Sequence, residues 1–306
     1  MIIIIGSGIA GLACARRLAD AGLALIVLDK GRGLGGRVAT RRMGDLQFDH
    51  GAQYVNAHGA GFAAVLESLG DAVAGWQNGQ GRTHSVGVPG MSAIPKALAA
   101  GLDIRQNAQV SALAQNGGGW KLHLESTTLR ALRVVVTVPA PQVAGFLGAD
   151  HPLVAAIAPV RLAPCLTLMA AVTAPAPFIT RQNADDPLSW IAQDSAKPGR
   201  PQGLDTLWVA QADEAFSTAH LEKTSAEIAA LMLPLLCDRL GVTPDHVTYA
   251  AAHRWRYARV TQALGQPFLH SPDHTLYLGG DWCIGPRVEA AWTSGTAIAD
   301  DILARG

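Results

Sequence analysis

The feature that most constrains this chain is its first 37 residues, Met1 to Arg37. Ile2-Ile3-Ile4-Ile5 is an apolar run too short for anything but a buried strand. Gly6-Ser7-Gly8-Ile9-Ala10-Gly11 follows at once. Leu12 to Ala19 then carries apolar residues at helical spacing, with Gly22 as a C-terminal stop. Leu25-Ile26-Val27-Leu28 reads as a second strand, and Asp29 stands at its end. Strand, glycine turn, helix, strand and acid come in the order of a βαβ dinucleotide-binding unit.

Each residue type there has a physical task. Gly6 permits the tight turn, Gly8 lets backbone approach a pyrophosphate, and Gly11 lets the helix pack closely on the strand. The helix N-terminus offers unpaired N–H groups to the anion. Asp29 can accept hydrogen bonds from ribose hydroxyls. An adenine dinucleotide is therefore expected. Which one follows from Lys30-Gly31-Arg32-Gly33-Leu34-Gly35-Gly36-Arg37, a second glycine-rich passage directly after the acid. A nicotinamide-binding domain would proceed into another helix here. Bare backbone beside a longer cofactor, with Arg37 available to a phosphate, points to FAD.

A chain of 306 residues that is 49% hydrophobic can fill two cores. Its net charge is zero and its pI is near 7.2, so neither a nucleic-acid nor an acidic partner is expected. No long apolar run and no charged leader segment suggest a membrane span or signal peptide. Cys14, Cys165, Cys237 and Cys283 form no CxxC and read as reduced thiols of a cytoplasmic protein. No metal is expected.

Further along, Gly59 to Gly70 reads as helical and Gly75 to Val88 as turn-rich strand. A helix with Ser92 as N-cap runs to about Ala100. Asp103 to Arg105, Val110 to Leu113 and Trp120 to Glu125 read as strands. Leu132 to Val138 is a β-branched run suited to a central parallel strand. Beyond Gly145 the separated strands Leu166 to Val172, Leu188 to Ala192 and Thr206 to Ala210 suggest an antiparallel sheet. Thr224 to Leu240 is an amphipathic helix, and Val247 to Tyr257 a strand leading back to the first domain.

The C-terminus returns to dinucleotide chemistry. Leu276 to Leu278 is a buried strand, followed by Gly279-Gly280-Asp281, where Asp281 can meet a polyol hydroxyl. In the last helix, Val288 to Leu303, the residues Ala291, Gly295 and Ala299 form a small face that permits close approach to the sheet. The positive end of that helix, Pro286 to Ala290, would stabilise negative charge on a flavin pyrimidine ring.

Taken in order, these pieces resemble the FAD-dependent amine oxidase superfamily, and most of all its renalase branch, especially the bacterial renalase-like proteins. The resemblance rests on Gly6 to Gly11, Asp29-Lys30, Gly35-Gly36-Arg37, Gly51 to Tyr54 and Pro89 to Ile94. It continues through Lys197-Pro198-Gly199-Arg200, His253 to Arg259, Gly280 to Cys283 and Arg287-Val288-Glu289. The chain departs from the pattern at Ala290, where glycine is frequent, at Val260, where proline is usual, and at His50, where an apolar residue is common.

The resemblance implies an FAD-binding Rossmann-like fold of glutathione-reductase type, with an inserted α+β substrate domain built on an antiparallel sheet. Residues 1–52, 91–145 and 262–306 would form the FAD domain, and 53–90 with 146–261 the substrate domain. Noncovalent FAD would be held by Gly6, Ser7, Gly8, Ile9, Ala10, Gly11, Asp29, Lys30, Gly36, Arg37, Gln53, Tyr54, Val110, Gly280, Asp281, Arg287, Val288 and Glu289. The implied reaction is oxidation of the 2- and 6-dihydro isomers of NAD(P)H, with O2 as final acceptor and hydrogen peroxide as product. A monomer or homodimer would suffice.

Hydride transfer between aligned rings needs no general acid or base, so no catalytic side chain is expected. Pocket candidates are Gln53, Tyr54, Trp190, Trp255, Tyr257, Trp282 and Arg287. The aromatics among them suit core or inter-domain packing equally well. Cys283 reads as an inert buried thiol, and His253 as a satisfied strand histidine. The alternative within the superfamily is an amine oxidase acting on a small or polyamine substrate. A module using FAD structurally would lack an adjacent cavity.

Overall fold

The computed structural model describes residues 1–306. At the centre of a six-stranded sheet lies Ile2–Ile5, paired in parallel with Leu25–Leu28 on one side and Arg133–Val136 on the other. Leu276–Gly279 extends the sheet in parallel beyond Arg133–Val136, and Ile104–Arg105 beyond Leu25–Leu28. Phe268–His270 closes one edge antiparallel.

The unbroken apolar runs follow from this position, because successive side chains point to opposite, equally covered faces. Ile2, Ile4, Val27, Val135 and Tyr277 pack under the helices Ile9–Asp20 and Val288–Ala304. Ile3, Ile5, Val134 and Val136 pack on the other face, with Trp120 and Leu122 of a three-stranded antiparallel sheet. Each fully buried Ile or Val contributes about 1.5–3 kcal/mol.

A second, five-stranded antiparallel sheet has the order Thr180–Gln182, Trp190–Gln193, Thr206–Gln211, Arg161–Val172, Val247–Gln262. Helix Ser225–Leu240 covers one face, seating Ile228, Met232, Leu236 and Leu240 on Leu166, Leu168, Ala170 and Trp208. Thr224 and Glu227 form a capping box at its start, and Gly241, at φ 68°, ends it in the left-handed conformation. Pro234 lies inside the helix. The opposite sheet face, through Met169, Ala171, Leu207 and Val209, packs on Phe48.

Several expectations need correction. The strand from Val247 runs to Gln262, five residues past Tyr257, because it pairs with Arg161–Val172 through a register shift near Cys165. Leu188 lies outside the strand that starts at Trp190; its N–H is taken by Asp186 Oδ1 at 2.9 Å. Ser92 caps nothing with its side chain, and its own N–H donates to Thr40 Oγ1 at 3.0 Å. The small face of the last helix meets the first helix as well as the sheet. A Cβ on Gly295 would stand 2.0 Å from the Ala10 carbonyl oxygen, so the two helices cross there at backbone contact.

Candidate active site

A cavity of about 1630 Å³ opens where the carboxyl ends of the parallel strands meet the antiparallel sheet. Gly6, Asp29 and Val138 line it just past three of those strand ends, and Gly280 and Asp281 past a fourth. That is where an open α/β sheet takes its ligands. Its volume exceeds the 300–1,000 Å³ of an ordinary small-molecule pocket, leaving room for a cofactor and a substrate together. One wall carries Gly8, Asp29, Gly36, Arg37, Val110 and Asp281. The other carries Cys165, Trp190, Gln211, Trp255 and Tyr257.

The first wall fits the pyrophosphate and sugars of FAD. Gly8 is the N-cap of helix Ile9–Asp20 and no side chain caps that helix, so its first-turn N–H groups are left for a ligand. A Cβ at Gly8 would meet no atom within 4 Å, which is open space beside the cavity. Gly11 differs: a Cβ there would lie 1.9 Å from the Gly6 carbonyl oxygen, so only glycine lets the helix sit against the turn. Asp29 holds the turn from below. Its Oδ2 accepts from Ser7 N at 2.6 Å and Ser7 Oγ at 2.7 Å, and its Oδ1 accepts from Gly31 N at 2.7 Å. Lone pairs remain on both oxygens for ribose hydroxyls.

Arg37 and Asp281, two separate ligand contacts in the sequence reading, bind each other. Arg37 Nη1 and Nη2 donate to the two carboxylate oxygens of Asp281, each at 2.7 Å, and Nη1 also donates to the Ala258 carbonyl at 3.0 Å. The bidentate pair fixes the guanidinium plane at the cavity wall. Lys30, Val110, Gly280, Arg287 and Val288 also line the cavity, as do Trp190, Trp255 and Tyr257. The start of helix Val288–Ala304 reaches the cavity through Pro286, Arg287 and Val288, with no side chain capping it.

Other candidates stand elsewhere. Ser7 and Gly11 lie beneath the glycine turn. Trp282 is fully buried in the core, its indole N–H donating to the Val138 carbonyl at 3.0 Å, so it lines no pocket. Glu289 turns away from the cavity and accepts from His58 N and Gly59 N, where Gly59 caps helix Ala60–Ser68. Tyr54 stacks on His84 with centroids 3.9 Å apart. Gln53 is buried behind the lining turn Gly51–Ala52; its amide donates to the carbonyls of Asp49 and Gly51, and its Oε1 accepts from Lys197 Nζ at 3.2 Å.

That lysine belongs to a cluster the sequence reading missed. Lys197, Asp49, Asp194 and Arg200 all have side chains at 0% exposure. Lys197 Nζ donates to Asp194 at 2.7 Å and to Asp49 at 3.4 Å, while Arg200 bridges Asp49 to the Gly87 carbonyl. Burial alone would raise the Asp49 pKa, but Lys197, Arg200, Thr40 and the Met91 N–H hold it below the ordinary carboxylate range. At Asp194 burial, reinforced by the charge of Asp49, outweighs Lys197 and the pKa is raised. The legible signal was Lys197-Pro198-Gly199-Arg200, two bases in a tight turn. Gln211 completes the support by donating to the Gly51 carbonyl at 2.7 Å.

A second group, the buried His50 and the half-buried His253, flanks Trp255. Its indole N–H donates to the His50 carbonyl at 2.8 Å, and the rings of His50 and His253 lie 5.2 and 4.3 Å from it. Burial, then the proximity of His253 and Arg41, pushes the His50 pKa down to about 4. His253 is lowered for the same reasons, burial first and Arg41 second. Burial pushes the thiols of Cys165 and Cys283 up, to about 11 and about 12, so neither is a thiolate near neutrality. No helix is long and apolar enough to cross a membrane.

A dinucleotide cradle at the strand ends, opening into a chamber walled by a second sheet, defines a flavin-dependent oxidoreductase. The chain belongs to the flavin-containing amine oxidoreductase family, which it matches over residues 56–303. Residues 4–69 also match the NAD(P)-binding Rossmann-like domain. Its cofactor is FAD. Among solved structures, the chain is similar to a protein described as a protoporphyrinogen oxidase from Exiguobacterium sp. 255-15, at a TM-score of 0.79 and 14% identity, over 100% of this chain and 99% of that one. It is likewise similar to a cofactor-binding redesign of putrescine oxidase, at 0.80 and 15% identity over 100% and 99%. Wild-type putrescine oxidase bound to putrescine matches at 0.74 and 14% identity, over 99% of each chain. At such identities the likeness is one of fold.

Proposed function

We propose that the protein is a renalase-like oxidase that takes hydride from 2- or 6-dihydro isomers of NAD(P)H. When bound, FAD supplies the hydride acceptor and the route to O2 that yields hydrogen peroxide. The six-stranded sheet, with residues 1–52, 91–145 and 262–306, would hold the cofactor through the glycine turn, Asp29, Arg37, Val110 and Asp281. Residues 53–90 and 146–261 would hold the substrate.

The observation that carries this reading is the charge lining of the cavity. Lys30, Arg37, Arg254, Arg256, Arg259 and Arg287 line it, against Asp29, Asp213, Glu214 and Asp281. Each of those four acids already has a partner. Asp29 accepts from Ser7 and Gly31, Asp213 caps a helix through Phe216 N, Glu214 meets Arg259, and Asp281 holds Arg37. Six basic side chains outnumber these four engaged acids along the lining, and Arg287 has no ion-pair partner. A phosphate-bearing dinucleotide matches that balance.

The chain's own residues then have modest tasks. Trp190, Trp255 and Tyr257 offer flat apolar faces for a dihydropyridine ring and exclude water from it. Loss of hydride leaves an aromatic pyridinium, so no proton has to be removed. Cys165, held as a thiol, is not a competing base or nucleophile. The cavity rim receives the phosphates.

The amine oxidase alternative has one observation in its favour: the same aromatics would also flank an alkyl amine, as a fold shared with putrescine oxidase allows. Peroxide release by the FAD-loaded protein separates the two. Turnover with 6-dihydro-NAD and none with putrescine is expected, and the reverse would overturn the proposal.

A further inference from the structure

The rim of the cavity holds a charged arrangement that hydride transfer does not use. Arg254, Arg256 and Arg259 come from the edge strand Val247–Gln262 and line the cavity while remaining 37%, 41% and 62% exposed. Acids from the neighbouring segment meet them. Arg256 Nη1 and Nη2 donate to the two oxygens of Glu222 at 2.7 and 2.9 Å, and Arg259 donates to Glu214 at 3.3 Å. Arg254 donates to the Leu221 carbonyl at 2.6 Å. Asp213, the other acid there, is committed to Phe216 N at 2.7 Å. Three guanidinium groups therefore share two carboxylates, Glu222 lying 3.9 Å from Arg254 as well.

The fork that Arg256 offers Glu222 is the one a guanidinium offers a phosphate. Glu222 is 74% exposed and Glu214 51%. Pairs so exposed add little stability, so exchanging the carboxylate for a stronger anion is easy. On the same edge strand, Trp255 and Tyr257 alternate with Arg254 and Arg256, so that Trp255 leaves the strand on the face opposite those two arginines while all four line the cavity.

We propose that Arg256 and Arg259 form a diphosphate-binding subsite at the cavity mouth, and that Glu222 and Glu214 occupy it as internal surrogates until a dinucleotide displaces them. The inference rests on the dihydropyridine reading, since one molecule brings both the ring and the diphosphate. Arg254, anchored to Leu221, keeps the acidic segment in place during the exchange.

ADP-ribose is the probe, because it carries the diphosphate but nothing to oxidise. Titration calorimetry on the FAD-loaded full chain should show binding that weakens with added salt. Arg256→Gln combined with Arg259→Gln should weaken it roughly tenfold or more and reduce the salt dependence. Glu222→Gln, which deletes a competing anion, should tighten it. Equal binding by wild type and the double variant, no binding at all, or weaker binding by Glu222→Gln would overturn the subsite. Arginine-dependent ADP-ribose binding without oxidation of 6-dihydro-NAD would keep the subsite and sink the oxidase reading. Oxidation of 6-dihydro-NAD with a KM unchanged by the double variant would do the opposite.

Discussion

Arg37 and Asp281 stand 244 residues apart in sequence and hold each other through two hydrogen bonds of 2.7 Å. One follows the second glycine-rich passage and the other the last parallel strand, so the pair ties the two ends of the chain together at the cavity wall. Asp281 has 9% side-chain exposure, which makes its carboxylate costly to leave unpaired.

Asp281→Asn keeps the shape but removes the charge that orients Arg37. FAD affinity should fall about tenfold or more, equivalent to ~1.4 kcal/mol, with a lower melting temperature for the loaded protein. Fluorescence of flavin released on dilution measures the first, and a thermal scan the second. Unchanged affinity would show that the pair serves folding alone.

Lys197→Met leaves Asp194 and Asp49 buried with one positive partner fewer. Destabilisation of roughly 3–5 kcal/mol is expected in urea. Combining it with Asp194→Asn removes the stranded charge and should recover much of the loss. A double variant as unstable as the single one would mean that packing, not charge, is what Lys197 supplies.

His50 binds its proton less readily in the folded chain, at about 4, than at its ordinary value of 6.5. Between those values the unfolded state holds more protons, so stability is fully present above about pH 6.5 and is lost as pH falls toward about 4. The leg should amount to roughly 3 kcal/mol. His50→Phe, at a ring nitrogen with no hydrogen-bond partner, should flatten that part of the stability profile. A wild-type profile level between pH 6.5 and 4 would contradict it.

The parts that could be read from sequence are those written locally. Ile2 to Asp29 carries strand, turn, helix and acid within one short stretch, and each lies where its residue types require. Arg37 and Asp281 were legible as residue types, but their pairing was not, because no local pattern links positions so distant. Trp282 and Glu289 were misplaced for a related reason. A tryptophan beside a strand end reads alike whether it faces a cavity or the core, and only tertiary packing turned it inward. Lys197 was legible as part of a motif but its role was not, because no local pattern shows that Asp194 and the distant Asp49 meet it in the interior.

The most direct test of the central claim is anaerobic rapid mixing of the FAD-loaded protein with 6-dihydro-NAD and, separately, with putrescine. Flavin absorbance should bleach with the dihydropyridine far faster than with the amine, leaving NAD⁺ as product. Faster bleaching by putrescine, or none by the dihydropyridine, would contradict the account.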